Sequence, residues 1–372
     1  MATEQQVPPA QTRLKLSRSA VFPLVGGRTT WSREHLLPIF VTLIAGIALF
    51  LVPFPWPKLV FSGKPASAEI NTAWQVFSIL GIYIAFIVCY YINQMCGHPK
   101  RGWVLAVVAL CTFLLLSSPV FHYWYDFFYE VIPGTALEKS KNPAANLAGF
   151  FFGTGLCEES FKSLPLFGMV LLGLVLGFFS RRTKGRTSML LAFIRRRIAL
   201  NDPLDGIVMG VASGAGFFIN ETLFQYVPSV MSAAKYPGTE AFNGLVLLLA
   251  RGLPEMTEHS AWAGLFGYFI GLAVLQPRMA AILIPIGWLS AAALHGAWDA
   301  IGTLTSSDTL VVLFLIGDGL LSYALLAGAI FKAREISPGR GFMPLAGPSP
   351  STVVATAPAT ARPAPSSEAE WD

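Results

Sequence analysis

Apolar positions in this chain come in long runs, spaced evenly from near the N-terminus almost to the C-terminus. Stretches of about 20 residues, enough to cross roughly 30 Å of hydrocarbon as a helix, begin near Leu36, Ala73, Trp103, Asn146, Asp205, Leu245, Met279 and Thr309. The pattern predicts an all-α fold, a polytopic transmembrane helix bundle of about eight spans. The run at Leu36 follows a segment with Pro8, Pro9 and several basic residues and lacks a small-residue cleavage site, so it is expected to be a retained first helix.

Polar positions set the expected topology. Basic residues mark cytoplasmic loops, and they fall in alternate connections: Arg13 to Arg33, Lys100-Arg101, the loop from Arg181 to Arg197, Arg278, and the stretch after Lys332. The intervening connections are poorer in basic charge, which places both termini in the cytoplasm. Two runs, Asn146 to Phe179 and Phe242 to Leu275, are too long for one straight span. Each is expected to join an interfacial or re-entrant piece to a true span, beside a polar cavity, because irregular backbone at membrane depth needs protein or water around it. The resulting division is a cytoplasmic N-terminal segment (1–35), three transmembrane helices (36–144), a catalytic transmembrane core (145–331) and a disordered cytoplasmic tail (332–372). The tail is rich in Pro, Ala, Ser and Thr and has too few large apolar residues to fold.

Composition removes the soluble alternative. Hydrophobic residues make up 54% and charged residues 13% of the chain, with a mean hydropathy of +0.58; soluble domains carry roughly 25% charged residues. Cys89, Cys96, Cys111 and Cys157 lie in or beside apolar runs without zinc-pair or CxxC spacing, and read as small buried hydrophobes.

Against this background, ionisable residues inside spans are functional candidates, since each costs about 2.5–3.5 kcal/mol at the centre of a span. Glu158-Glu159-Ser-Phe-Lys162 lets Lys162 pair with Glu158 at i,i+4 or with Glu159 at i,i+3, leaving the other carboxylate for proton transfer. Glu221 closes Phe217-Phe-Ile-Asn-Glu221, after glycines at 206, 210 and 214 that line one helix face and let a neighbour approach closely. His259 and the pair His295 and Asp299, the latter on one face at i,i+4, complete the set. Taken singly, these residues also read as buried ion pairs or helix-stapling hydrogen bonds; four elements expected at one depth read as a site.

The ordered motifs Glu158-Glu159-x-x-Lys162, Phe217-x-x-x-Glu221 and His295-x-x-x-Asp299 resemble those of the PrsW family of intramembrane proteases, related to the type II CAAX prenyl endopeptidases. The resemblance covers about Asn146 to Ile301 and includes His259. One departure is that Asn220 precedes Glu221 and Thr222 follows it, where the family commonly has Asn after the glutamate. The resemblance implies cleavage of membrane-anchored proteins, such as anti-sigma-factor-like regulators, near the outer face of a bacterial plasma membrane.

In the expected chemistry, Glu158 or Glu159 activates water while Lys162 orients the partner carboxylate. Glu221, His259 and His295 complete the water and oxyanion environment, and Asp299 orients His295. Two readings of the cofactor stay open: none, or zinc held by Glu221, His259 and His295 with a position left for water. Expected partners are a membrane protein substrate and the lipid bilayer, and not nucleic acid. A proton-coupled transporter is the competing class, since buried Glu, Lys, His and Asp also build proton relays, but no inverted repeat is visible. A catalytically silent membrane scaffold is the third.

Overall fold

A computed structural model describes residues 58–337, apart from 62–63, 98–99, 237 and 253. Its regular structure is helical except for a two-residue antiparallel pairing of β1 (Val60–Phe61) with β2 (Lys64–Pro65). The helices are α1 (Ala68–Met95), α2 (Gly102–Leu116), α3 (Pro119–Val131), α4 (Pro143–Phe150), α5 (Leu156–Arg182), α6 (Gly185–Ile198), α7 (Pro203–Phe218), α8 (Val227–Ser232), α9 (Glu240–Gly252), α10 (Pro254–Leu275), α11 (Ala280–Leu304) and α12 (Asp308–Ile336). A 3₁₀ turn covers Thr135–Lys139, and π-helical segments cover Phe151–Gly155 and Ile219–Tyr226.

Among the described residues five helical stretches are long and apolar enough to cross a membrane: Ala68–Met95, Pro143–Arg182, Pro203–Ser232, Pro277–Leu304 and Thr309–Ile336. A sixth is reached if α2 and α3, bent by 66° at their junction, count as one broken span. The described residues alone do not reach the expected count of about eight. The run from Leu36 lies outside the described residues. The run from Trp103 breaks at Ser117-Ser118 before Pro119, where proline ends the preceding helix. The run at Leu245 divides at Pro254 into α9, whose 13 residues reach only about 20 Å, and α10, which carries Glu258 and His259 in its early turns. The other long run, by contrast, is one helical stretch of 40 residues from Pro143 to Arg182 with a π turn inside it.

The chain forms two compact units. The first contains α1 up to Ile87 and the segment 219–253. Its core is Trp74, Phe77, Leu223, Val227, Met231 and Leu248, with the Trp74 indole N–H donating to the Leu223 carbonyl at 2.7 Å.

The second unit, Val88–Phe218 with the residues from Pro254 onward, is built around α7, in which every residue from Pro203 to Phe218 is buried. Local sequence starts α7 firmly: the Asp202 carboxylate accepts the Asp205 amide at 3.0 Å, and Pro203 opens the helix. Asp205 in turn pairs with Lys100 at 2.9 Å, both side chains fully buried. Along α7, an added Cβ at Gly206, Gly210 or Gly214 would run into the backbone of Gly267, Ala263 or His259 of α10. The four-residue glycine spacing therefore lets the two backbones touch, and this contact fixes the depth and azimuth of His259. On another face of α7, Ser213 and Thr112 of α2 share a 2.7 Å hydroxyl hydrogen bond.

Replacing Gly210 by Leu forces α7 and α10 apart, and overpacking of this kind costs about 1–3 kcal/mol. The expected outcome is a lower Tm in detergent together with loss of activity; an unchanged Tm contradicts the seam.

Candidate active site

Three helices of the second unit deliver the site. The π segment Phe151–Gly155 leads into α5, and Glu158, Glu159 and Lys162 occupy its first two turns. π-helical insertions recur at functional sites because the extra residue re-aims the side chains that follow. Small residues hold α11 against this segment: an added Cβ at Gly155 would meet the Ala292 carbonyl, and one at Gly296 would meet Phe151 backbone. His295 is thereby set beside the two glutamates, and the α7 seam brings His259 from α10.

The centre is buried and closely bonded. Glu159, Lys162, His259 and His295 are each at most 2% exposed, and Glu158 8%. The Lys162 ammonium donates to Glu159 Oε1 at 2.7 Å and lies 2.8 Å from His259 Nδ1 and 3.4 Å from His295 Nδ1. Glu159 Oε1 is also 2.9 Å from His295 Nδ1. The opposite ring nitrogen, Nε2, is at ion-pair distance from Glu158 Oε2 (3.5 Å) and Asp299 Oδ2 (3.6 Å). Both nitrogens of His295 thus lie near carboxylate oxygens, and Nδ1 also faces the Lys162 ammonium.

Aromatic rings enclose the charges. Trp262 stacks on His295 with centroids 4.5 Å apart and planes at 19°, and its indole N–H donates to Ser322 of α12 at 2.9 Å. Phe217 places its ring 4.3 Å below the Lys162 ammonium and 5.3 Å from the His259 ring. The Lys162 carbonyl accepts from Ser213 at 2.5 Å, fixing the α5 backbone to α7.

Of the residues singled out from sequence, Glu158, Glu159, Lys162, His259, His295 and Asp299 therefore come together. Glu221 lies in the π segment Ile219–Tyr226 of the first unit, 3.7 Å from Arg251, whose guanidinium stacks on Tyr226. The donor atoms within 4.8 Å of one another are those of Glu159, His259 and His295. One carboxylate and two imidazoles are the donor types of a catalytic zinc site with an open position.

Several residues escaped the sequence reading. Asp318 lies inside the α12 span, a placement that the rarity of ionisable residues in spans could have flagged. Its neighbour in the fold, Glu258, is buried with Oε2 lacking a hydrogen bond. Trp262 and Ser322 carry no signal that separates them from ordinary packing residues, and Phe217 stood out only as the opening residue of its motif. Outside the spans, Glu138 accepts the Tyr129 hydroxyl at 2.7 Å. Burial raises its carboxyl pKa, the Tyr129 bond opposes that rise, and the charge of Asp299 adds to it.

A polytopic helix bundle with carboxylates, an ammonium and imidazoles at one buried point has the makings of a membrane-embedded hydrolytic enzyme. The comparison with known families is specific. Residues 79–327 match the PrsW family of intramembrane metalloproteases. No curated protein and no solved structure matches significantly. The chain belongs to the PrsW family and is an integral membrane peptidase, acting on protein substrates in the membrane.

Removing Glu159 alone leaves the Lys162 ammonium buried without its carboxylate, a change that costs about 3–5 kcal/mol. Glu159→Ala should therefore unfold at markedly lower temperature than the wild type, and the double variant Glu159→Ala, Lys162→Met should recover most of the loss. A single variant as stable as the wild type contradicts the pair.

Proposed function

We propose that the protein is an intramembrane endopeptidase whose general base is Glu158, cutting membrane-anchored protein substrates near the outer face of a bacterial plasma membrane. The observation that carries the assignment is the asymmetry between the adjacent glutamates. Glu159 is fully buried and tied to Lys162, whereas Glu158 faces the Nε2 edge of His295, where Asp299 retains 26% side-chain exposure. Water reaches the more open edge, so the carboxylate on that edge takes its proton.

The remaining groups then have distinct tasks. Glu158 removes a proton from water positioned against the scissile carbonyl and returns it to the departing amine. His295 contributes to the oxyanion environment, while Asp299 and the stacked Trp262 fix the plane of its ring. Lys162 pairs with Glu159 and orients it. A metal bound by Glu159, His259 and His295 would supply Lewis-acid polarisation and a more acidic water. Each step assigned here uses residues of the second unit alone; Glu221 is assigned none.

For orientation, the alternation of basic connections supports cytoplasmic termini and a cytoplasmic α5–α6 connection. Single cysteines placed between Arg181 and Arg197 in a cysteine-free background should react with impermeant maleimide only after cells are opened. Labelling from outside intact cells would reverse the orientation.

The activity is tested with purified protein in liposomes carrying single-span reporters. Glu158→Gln should lose about 10²-fold or more in cleavage rate, the usual scale for a general base, without change in Tm. Chelation should stop wild-type cleavage and zinc should restore it. Full-rate cleavage by Glu158→Gln removes the base assignment, and chelator-resistant cleavage removes the metal.

A further inference from the structure

The point toward which Glu159, His259 and His295 direct their donor atoms is held by a cation of the protein itself. Lys162 Nζ is 2.7 Å from Glu159 Oε1, 2.8 Å from His259 Nδ1 and 3.4 Å from His295 Nδ1, on the same three residues that form the candidate metal set. An ammonium is a compact point charge with three donors, suited to this position as a planar guanidinium is not. The faces of Phe217 and Trp262, 4.3 and 5.6 Å from Nζ, complete a cavity shaped for a positive charge.

We infer that Lys162 and a divalent metal ion are alternative occupants of one site, so that the lysine holds the three donors assembled in the metal-free protein and is withdrawn when metal binds. The inference rests on the metal-binding reading of the site given above. Two considerations carry it beyond that reading. A metal ion bonded to all three atoms would lie within van der Waals contact of the present ammonium, and two such cations repel strongly in a site from which water is excluded. The lysine is also built to move without disturbing the fold. Its backbone is anchored to Ser213 through the main-chain carbonyl, while the charge sits at the end of a flexible four-carbon stem. A lysine serving only as a fixed counterion to Glu159 would keep its contacts when metal is present; a competing occupant gives them up, and its charge lowers metal affinity until it does.

The test measures zinc affinity of the full-length protein in detergent micelles by competition with a chromophoric chelator, for wild type and for Lys162→Met, which keeps the length of the side chain and removes its charge. A site blocked about nine-tenths of the time loses about tenfold in apparent affinity, so Lys162→Met should bind zinc at least about tenfold more tightly. Equal or weaker binding by the variant overturns this inference and leaves the metal reading standing. Zinc binding by neither protein overturns both.

If Lys162→Met does not fold, the wild type decides. Acetylation of Lys162 by acetic anhydride, followed by mass spectrometry of the peptide, should rise severalfold at saturating zinc as the amine leaves its three partners. Unchanged or reduced acetylation overturns the exchange.

Discussion

The structure of the second unit depends on one contact, the buried ion pair between Lys162 and Glu159. Two opposite charges one helical turn apart are taken out of water at the start of a span, where either alone would be costly. The pair is tolerable only because the polar atoms around it are arranged to share the charge: His259 and His295 lie against the ammonium, and His295 also contacts the carboxylate. Histidines from α10 and α11 are therefore part of what makes the α5 charges affordable. Assembly of the site and burial of its charges are the same event.

Close backbone approach is what allows this. Glycines at 206, 210 and 214 bring α7 against α10, and Gly155 and Gly296 bring the start of α5 against α11. In a membrane, association of helices draws little on the hydrophobic effect and much on such packing. Hydrogen bonds of Ser213 with Thr112 and with the Lys162 carbonyl add polar ties inside the same seam. The result is a rigid surround for groups that must be held within a few tenths of an ångström of one another.

Much of this was legible in the sequence because insertion into a membrane makes charged residues conspicuous. Glu158, Glu159, Lys162, His259, His295 and Asp299 stand out as ionisable residues in apolar runs, and the glycine spacing marks the α7 face that packs. Sequence spacing could not choose between Glu158 and Glu159 as the partner of Lys162, since both i,i+4 and i,i+3 reach; the choice is made by the phase of α5 as it leaves the π segment. Asp318 and Glu258 required the fold to bring α12 and α10 together, and Trp262 looked like any buried aromatic. Hydropathy sums over breaks that the fold reveals: Ser117-Ser118-Pro119 bends a run that looks continuous, and Pro254 divides another.

The π-helical turn at Phe151–Gly155 makes the site sensitive to length as well as to side-chain identity. An α-helix advances 100° per residue, so removing one residue from that turn would rotate everything downstream in α5 by roughly that angle relative to α4. Asn146, which bonds to Thr303 and to the Glu138 carbonyl, anchors the upstream side of the turn. Glu158, Glu159 and Lys162 would swing together from the α11 face toward lipid with their mutual spacing intact. Variation within this stretch is thus constrained to exchange residues without inserting or deleting them, a rule that concerns helical phase and is invisible to any position-by-position inventory of the motif.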